Sequence, residues 1–334
     1  MSKQLVIRTG QVGVVGSEAY LHKQLLHPSI CRLLGTAQDA DNLYLLLELL
    51  SGGELYTLLY EEASPLTHGT GGMAEHYVRF YGACVLLALS FLHSLEPLVL
   101  YRDLKTENII LDHRGYPKLV DFGHAKRLRA KQSQQSLEHE QAQAASAGVQ
   151  VPVRPEPRTF TACGTPDYNA PEMHRGNGYG APAEYWAFGV LLFELLTGSL
   201  PFFDEDPMVS VEKIIDADIE WPRGFCTEHP VATDLILRLL EPDPQLRLGS
   251  RRGGGGASDG GLEGAGRCLG FDVIKQHAFF DGVNWDHLWL QSAEAPYTPP
   301  PFDPSTLIGN SSESDDDEQV CFDSENATYV FSDF

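Results

Sequence analysis

Two stretches of this chain are apolar on nearly every face: "HYVRFYGACVLLALSFLHSL" at 76–95 and "AEYWAFGVLLFELLTG" at 183–198. A helix that is hydrophobic all round belongs in the middle of a lobe, and Gly198 is a good C-terminal stop for the second one. Their apolar cores, "ACVLLALSFL" and "WAFGVLLFELL", fall short of about 18 residues and end in charged or polar groups. The pattern therefore predicts buried core helices and no membrane span. Residues 1–50 read differently. "LVIR", "SEAYLHKQLL" and "LYLLLELL" predict a strand, an amphipathic helix and a strand. From 51 to 290 helical patterns dominate, interrupted near 128–157 by a Gln/Ala/Ser-rich, then Pro-rich insertion and near 249–266 by a Gly-rich one. Neither insertion has enough apolar surface to order itself. The stretch 291–334 begins with "PYTPPPF", passes through an acidic block and ends on "YVFSDF". No internal repeat is present.

With 334 residues the chain can build one large domain or two lobes. A net charge of −22 argues against a nucleic-acid binder, whose phosphate contacts need a Lys/Arg surplus. Acidity suits basic partners or simple solubility, and composition does not choose between them. The six cysteines are scattered, with no Cys-x-x-Cys pair or Cys/His cluster for zinc, which points to reduced thiols in the cytoplasm, with the nucleus also open. The N-terminus lacks the profile of a signal peptide.

The most informative segment is "LYRDLKTENIILD" at 100–112. Apolar residues flank a tight polar cluster, as in a loop between strands that presents reactive groups. Phosphoryl transfer needs a base near the acceptor hydroxyl, a cation on the transferring group and oxygen ligands for magnesium. Asp103 can take the hydroxyl proton, Lys105 can neutralise the phosphoryl, and Asn108 can offer a carbonyl oxygen to the metal. Thirteen residues after Asn108, "KLVDFGHAK" delivers Asp121 from a predicted strand. Asp121 would bridge magnesium and the phosphates of ATP, with Phe122 packed beneath and Gly123 allowing the sharp turn. The expectation is that Asn108 and Asp121 share one divalent ion beside Asp103.

With "GTPDYNAPE", "YRDLKTEN", "PFFDEDP" and the terminal "FSDF" in order, the chain resembles the eukaryotic Ser/Thr protein kinases of the AGC group, and within it the cyclic-AMP-dependent kinases. The resemblance implies an α+β, two-lobed kinase fold with a truncated small β-rich lobe (1–50), a large mainly helical catalytic lobe (51–290) and an AGC-type C-terminal tail (291–334). It implies ATP and Mg2+ as cofactors. Partners would be protein substrates with basic residues before Ser/Thr, an activating kinase and a regulatory subunit. Residue by residue, Thr161 stands at the activating phosphorylation position, where a phosphate of about −2 charge would pair with Arg102 and Lys126. Thr165 is placed to bind Asp103 and Lys105, and Glu172 to form a buried ion pair with Arg247. Glu54, Glu107 and Glu194 match acidic positions that grip substrate arginines. Glu48 to Leu50 would hold adenine through the backbone, with Leu47 guarding the pocket behind. Phe331 and Phe334 are spaced to insert two rings into the small lobe.

Glu18 falls where kinases keep the glutamate of their small-lobe helix. Its phosphate-binding lysine partner would be Lys3, fifteen residues earlier on the predicted strand, or else Lys3 is an ordinary terminal lysine. Gly10, Gly13 and Gly16 follow that strand and are read as turn residues rather than a glycine-rich flap over ATP, so no flap is expected within this sequence. Two departures accompany this. Glu184 replaces an aspartate, which threatens its bonds to the catalytic loop, and His22 replaces a large apolar residue in the helix. The alternative to an active kinase is therefore a kinase-shaped scaffold with weak or no catalysis, or a truncated form of an active enzyme.

Overall fold

The computed structural model describes residues 1–61, 64–67, 71–128, 157–161, 163–250 and 269–303. Both low-complexity insertions, almost entirely, and the end of the tail, with Phe331 and Phe334, lie outside these residues. In chain order the first elements are α1 (Lys3–Arg8), α2 (Val12–His22), β1 (Leu33–Gln38), β2 (Leu43–Leu47), α3 (Leu55–Tyr60) and α4 (Glu75–Ser94). There follow β3 (Leu98–Leu100), β4 (Ile109–Leu111), β5 (Pro117–Leu119) and β6 (Lys126–Leu128). The remainder is helical: α5 (Pro171–His174), α6 (Ala181–Thr197), α7 (Pro207–Asp216), α8 (Phe225–Glu228), α9 (Pro230–Leu239), α10 (Leu269–Lys275) and α11 (Trp285–Trp289). The strands form three antiparallel pairs, β1–β2, β3–β6 and β4–β5.

The chain divides into two compact units that interleave in sequence. The first takes residues 1–88, 106–124 and 282 onward; the second takes 89–105 and 125–281. Residue 50 thus lies inside the first unit.

Within the first unit the segment expected as a strand is helix α1. Its register explains the difference. Lys3 and Val6 are both buried, and residues three apart share a face on a helix but point to opposite faces on a strand. Ser2 caps the helix by accepting from the Leu5 N–H at 3.5 Å. Gly10, at φ 68°, makes the turn into α2. Helix α2 starts upstream of the amphipathic stretch, so Gly13 and Gly16 lie inside it rather than in a turn. Val15, Ala19 and His22 recur at helical spacing and are buried, and Val15 packs with Val6 and Leu43. Strand β1, rich in polar and small residues, carries no clean apolar alternation and was not marked by the pattern.

Both long apolar runs are helices, α4 and α6. By length and hydropathy alone α4 could cross a membrane, but 67% of its apolar window is buried inside the protein. Helix α6 is buried at nearly every position and ends on Gly198 at φ 70° as its sequence predicts. Trp186 of α6 is fully buried and stacks on Phe202 with ring centroids 5.4 Å apart.

Candidate active site

In the second unit, β3 leads directly into Tyr101, Arg102 and Asp103. Arg102 sits in the left-handed region at φ 72°, an unfavourable place for a side chain with a Cβ. Glu184, in the first turn of α6, holds this conformation. One of its oxygens accepts the backbone N–H of Tyr101 at 2.5 Å and that of Arg102 at 2.8 Å, and the other meets Nε2 of His93. The longer side chain at 184 does not misplace these bonds. The glutamate reaches both amides and gains the histidine as support, a contact across 91 residues that no local pattern announces.

Asp103 is only 6% exposed, and its Oδ1 accepts both the N–H of Thr165 at 3.1 Å and the hydroxyl of Thr165 at 3.0 Å. The ammonium of Lys105 donates to the same hydroxyl oxygen at 3.1 Å and lies 3.5 Å from Asp103 Oδ2. Gly164 permits this approach. A Cβ there would stand 2.4 Å from the carbonyl oxygen of Arg102, and the backbone is at φ 82°. A carboxylate that accepts a hydrogen bond from an alcohol, with an ammonium beside it, has the geometry from which a hydroxyl proton can be taken.

Around this core the unit supplies further ties. Lys126 donates to the hydroxyls of Thr159 at 2.9 Å and of exposed Thr161 at 3.1 Å. Arg102 donates to the Tyr179 hydroxyl at 3.2 Å, which donates to the Thr161 carbonyl at 2.8 Å. Burial, with the hydrogen bond to Cys163, pushes the Tyr179 phenol up to about 12, so it stays a donor. Arg247 is fully buried and forks onto Glu172 at 2.8 and 3.0 Å, and it also donates to the carbonyls of Pro182 and Glu241. Glu194 is 3% exposed and its carboxylate accepts the Tyr168 hydroxyl, so it is engaged internally rather than open to a peptide.

The first unit holds the other group of expected residues. Strands β4 and β5 pair Ile109 with Leu119, and the Val120 N–H donates to the Asn108 carbonyl at 3.0 Å. The hairpin thus brings Asn108 and Asp121 to the same end. Asp121 is exposed at φ 52°, and its Oδ1 accepts the Gly123 N–H at 3.0 Å. Phe122 is fully buried. Among the described residues Asp121 forms no ion pair.

Glu18, on α2, faces this end. Burial first, then the charge of Asp121, pushes its carboxyl up to about 7. The expected pairing with Lys3 is not found. Lys3 heads α1 rather than lying on a strand, and its ammonium donates to the Asp39 carbonyl at 2.6 Å. At the end of β2, Leu47 is 38% exposed and Leu50 half-buried. The Glu48 side chain accepts from Lys118 at 2.7 Å and from the Arg32 N–H at 2.8 Å. Glu54 is exposed at the N-cap of α3, and Glu107 is half-buried in the turn 106–108.

Sequence reasoning missed His93, Tyr168, Tyr179 and Asp39. Each acts on a residue that is distant in the chain or on a backbone carbonyl, and neither relation leaves a spacing to read.

The second unit thus holds a carboxylate bonded to a hydroxyl beside an ammonium, and the first a hairpin that ends in two oxygen-bearing side chains. Residues 3–253 match the protein kinase domain, and the chain belongs to that family, with its α+β, two-lobed fold. It is 34% identical over 299 residues to a cAMP-dependent protein kinase catalytic subunit of Dictyostelium discoideum, covering 90% of this chain and 38% of that protein. It is 35% identical over 299 residues to the cAMP-dependent protein kinase catalytic subunit PRKX of Mus musculus, covering 90% and 68%. A cGMP-dependent protein kinase of Drosophila melanogaster is 36% identical over 302 residues, covering 90% of this chain and 26% of its own length. The chain thus spans well under half the length of several relatives, and these names place it among Ser/Thr kinases of the AGC group.

Proposed function

We propose that this chain transfers the γ-phosphoryl group of ATP to serine or threonine hydroxyls in proteins, preferring sites preceded by arginine. The observation that carries this reading is the Asp103–Thr165–Lys105 triangle. Asp103 already accepts a hydrogen bond from an alcohol at 3.0 Å while an ammonium shares that oxygen. In turnover Asp103 orients the acceptor hydroxyl and takes its proton, and Lys105 offsets the charge on the transferring group.

The oxygens of Asn108 and Asp121 fit magnesium. They are hard donors at one end of a hairpin, and among the described residues Asp121 forms no ion pair. Bound there, Mg2+ would neutralise phosphate charge. The backbone from Glu48 to Leu50 takes adenine, with Leu47 behind it. Glu54 and Glu107 are the accessible carboxylates for substrate arginines. Phosphorylation of Thr161 by an activating kinase would give Lys126, and Arg102 through Tyr179, a dianion to hold. The relatives' names support a regulatory protein partner, and the absence of a Lys/Arg surplus argues against nucleic acid. The scattered thiols support a cytoplasmic or nuclear setting, and the Phe331/Phe334 rings support a docked tail.

The test is phosphorylation of an Arg-rich serine peptide by the purified full chain with Mg-ATP. Asp103→Asn should lower turnover by about 10²–10⁴-fold. An absence of transfer, with that variant indistinguishable from the parent, overturns the reading. A second reading, a kinase-shaped scaffold, is favoured by one observation: among the described residues Glu18 forms no ion pair. Calorimetry with ATP decides, because magnesium-dependent tight binding is not expected of a scaffold.

A further inference from the structure

The first unit contains a cavity of about 310 Å3 that, of all the expected site residues, only Glu48 lines. Part of its wall is apolar: Leu25 and Ile30 are buried, Pro28 is half-buried and Leu26 is exposed. The rest is polar and comes from Arg32, Glu48, Lys118 and His27.

Main-chain hydrogen bonds hold this wall in shape. The Cys31 N–H donates to the Leu119 carbonyl at 2.8 Å, that of Leu119 to the Ser29 carbonyl at 2.9 Å, and that of Glu48 to the Arg32 carbonyl at 3.0 Å. The segments carrying Ile30, Arg32, Glu48 and Lys118 are thereby stitched together. From the other side, Gln291 donates through Nε2 to the Pro28 carbonyl at 3.1 Å, and Trp289 meets the His27 ring edge-on with centroids 4.8 Å apart. The cavity is preformed, as small-molecule sites usually are.

Its polar lining sets two cations against one carboxylate. Lys118 is 8% exposed, and its ammonium donates to Glu48 Oε1 at 2.7 Å. That same oxygen accepts the Arg32 N–H at 2.8 Å. The Arg32 side chain is exposed and, among the described residues, forms no ion pair. Burial, then the charge of Lys118, lowers His27 to about 4, so its ring is neutral. Nδ1 accepts the Ser29 N–H, which puts the ring proton on Nε2 and makes that atom a donor. A cleft that held only water would need no surplus of cations, and in a chain of net charge −22 such a surplus is unusual.

We propose that this cavity binds a small amphiphilic carboxylate, with its headgroup on Arg32 and Lys118 and its hydrocarbon body against Leu25, Leu26 and Ile30. The volume suits a chain of about eight carbons. Glu48 disfavours a second negative charge on the ligand, so a monoanion fits better than a dianion. The site stands on the cavity and its lining and does not depend on phosphotransfer.

Ligand-observed NMR titration of the full chain, with octanoate as the probe, tests this. Octanoate should bind with a Kd of about 1 mM or tighter, and octanamide, similar in size but neutral, about tenfold more weakly. Arg32→Glu should weaken octanoate about tenfold, and Arg32→Lys should keep most of the affinity. Arg8→Glu, the same charge change on helix α1, should leave it unaltered. Leu26→Asn should weaken octanoate and octanamide alike, by about threefold. The proposal is overturned if octanoate does not bind, if octanamide binds equally well, or if Arg32→Glu and Arg8→Glu behave alike. Displacement of octanoate by Mg-ATP would put it in the nucleotide site and overturn the proposal as well. Because no arm reads turnover, an inactive chain would refute the kinase reading and leave this test standing.

Discussion

The two compact units differ in how far burial moves their ionisable groups. In the second unit nearly every one has a partner. Arg247 forks onto Glu172, Glu184 serves two amides and His93, and Asp103 shares Thr165 with Lys105. In the first unit Glu48 and Lys118 are paired, yet burial itself moves several groups. Glu18 is raised, and His22 and His27 are lowered. Paired charges hold a loop in one geometry without waiting for a ligand. On the kinase reading proposed above, the groups held by paired charges are those assigned to proton transfer.

The largest expected effect breaks the paired side. Arg247→Met should leave Glu172 buried without its cation and cost about 3–5 kcal/mol, read as a lower denaturation midpoint in urea. If the midpoint barely moves, the pairing is not what secures that unit.

A smaller effect probes the desolvated side. His27 accepts the Ser29 N–H at Nδ1 and packs edge-on to Trp289, and burial, then the charge of Lys118, lowers its pKa to about 4. The folded pKa lies below the unfolded value of 6.5, so the native state favours neutral imidazole. This contribution is complete above pH 6.5 and is lost as pH falls toward 4. Unfolding free energy should drop by about 2 kcal/mol between pH 7.5 and 5.0 from this residue. His27→Gln should flatten that portion of the profile, and an unchanged slope would remove His27 from the account.

Thr165→Val takes from Asp103 one of its two donors from that residue. The expected loss is about 1.5 kcal/mol, and Thr165→Ser should restore it in the same thermal melt. At the small end, Glu18→Gln removes the like charge near Asp121. At pH 8 it should stabilise the protein by about 1 kcal/mol after allowing for solvent around a partly exposed group. Destabilisation instead would mean that Glu18 has a cation partner in solution.

Legibility followed the range of the interactions. The helices α4 and α6 could be read because their apolar character is continuous, and the stop at Gly198 because a left-handed cap favours glycine. The loop carrying Asp103, Lys105 and Asn108 could be read because phosphotransfer chemistry demands those types close together. Helix α1 was misread as a strand because "LVIR" suits both, and the deciding burial of Lys3 and Val6 depends on Leu43 and Asp39 from a later segment. The displaced start of α2 has the same origin: Val15 is apolar in either reading, and only its neighbours show which face it serves.

The sequence by itself determined the family and the long core helices, since these depend on residue types at short spacing and on local periodicity. The tertiary structure alone decided that Glu18 forms no ion pair among the described residues, which carbonyl Lys3 serves and that residues 3–8 are helical. Those outcomes turn on distances between segments tens of residues apart, where burial changes the energy of a charge and no spacing in the chain records it.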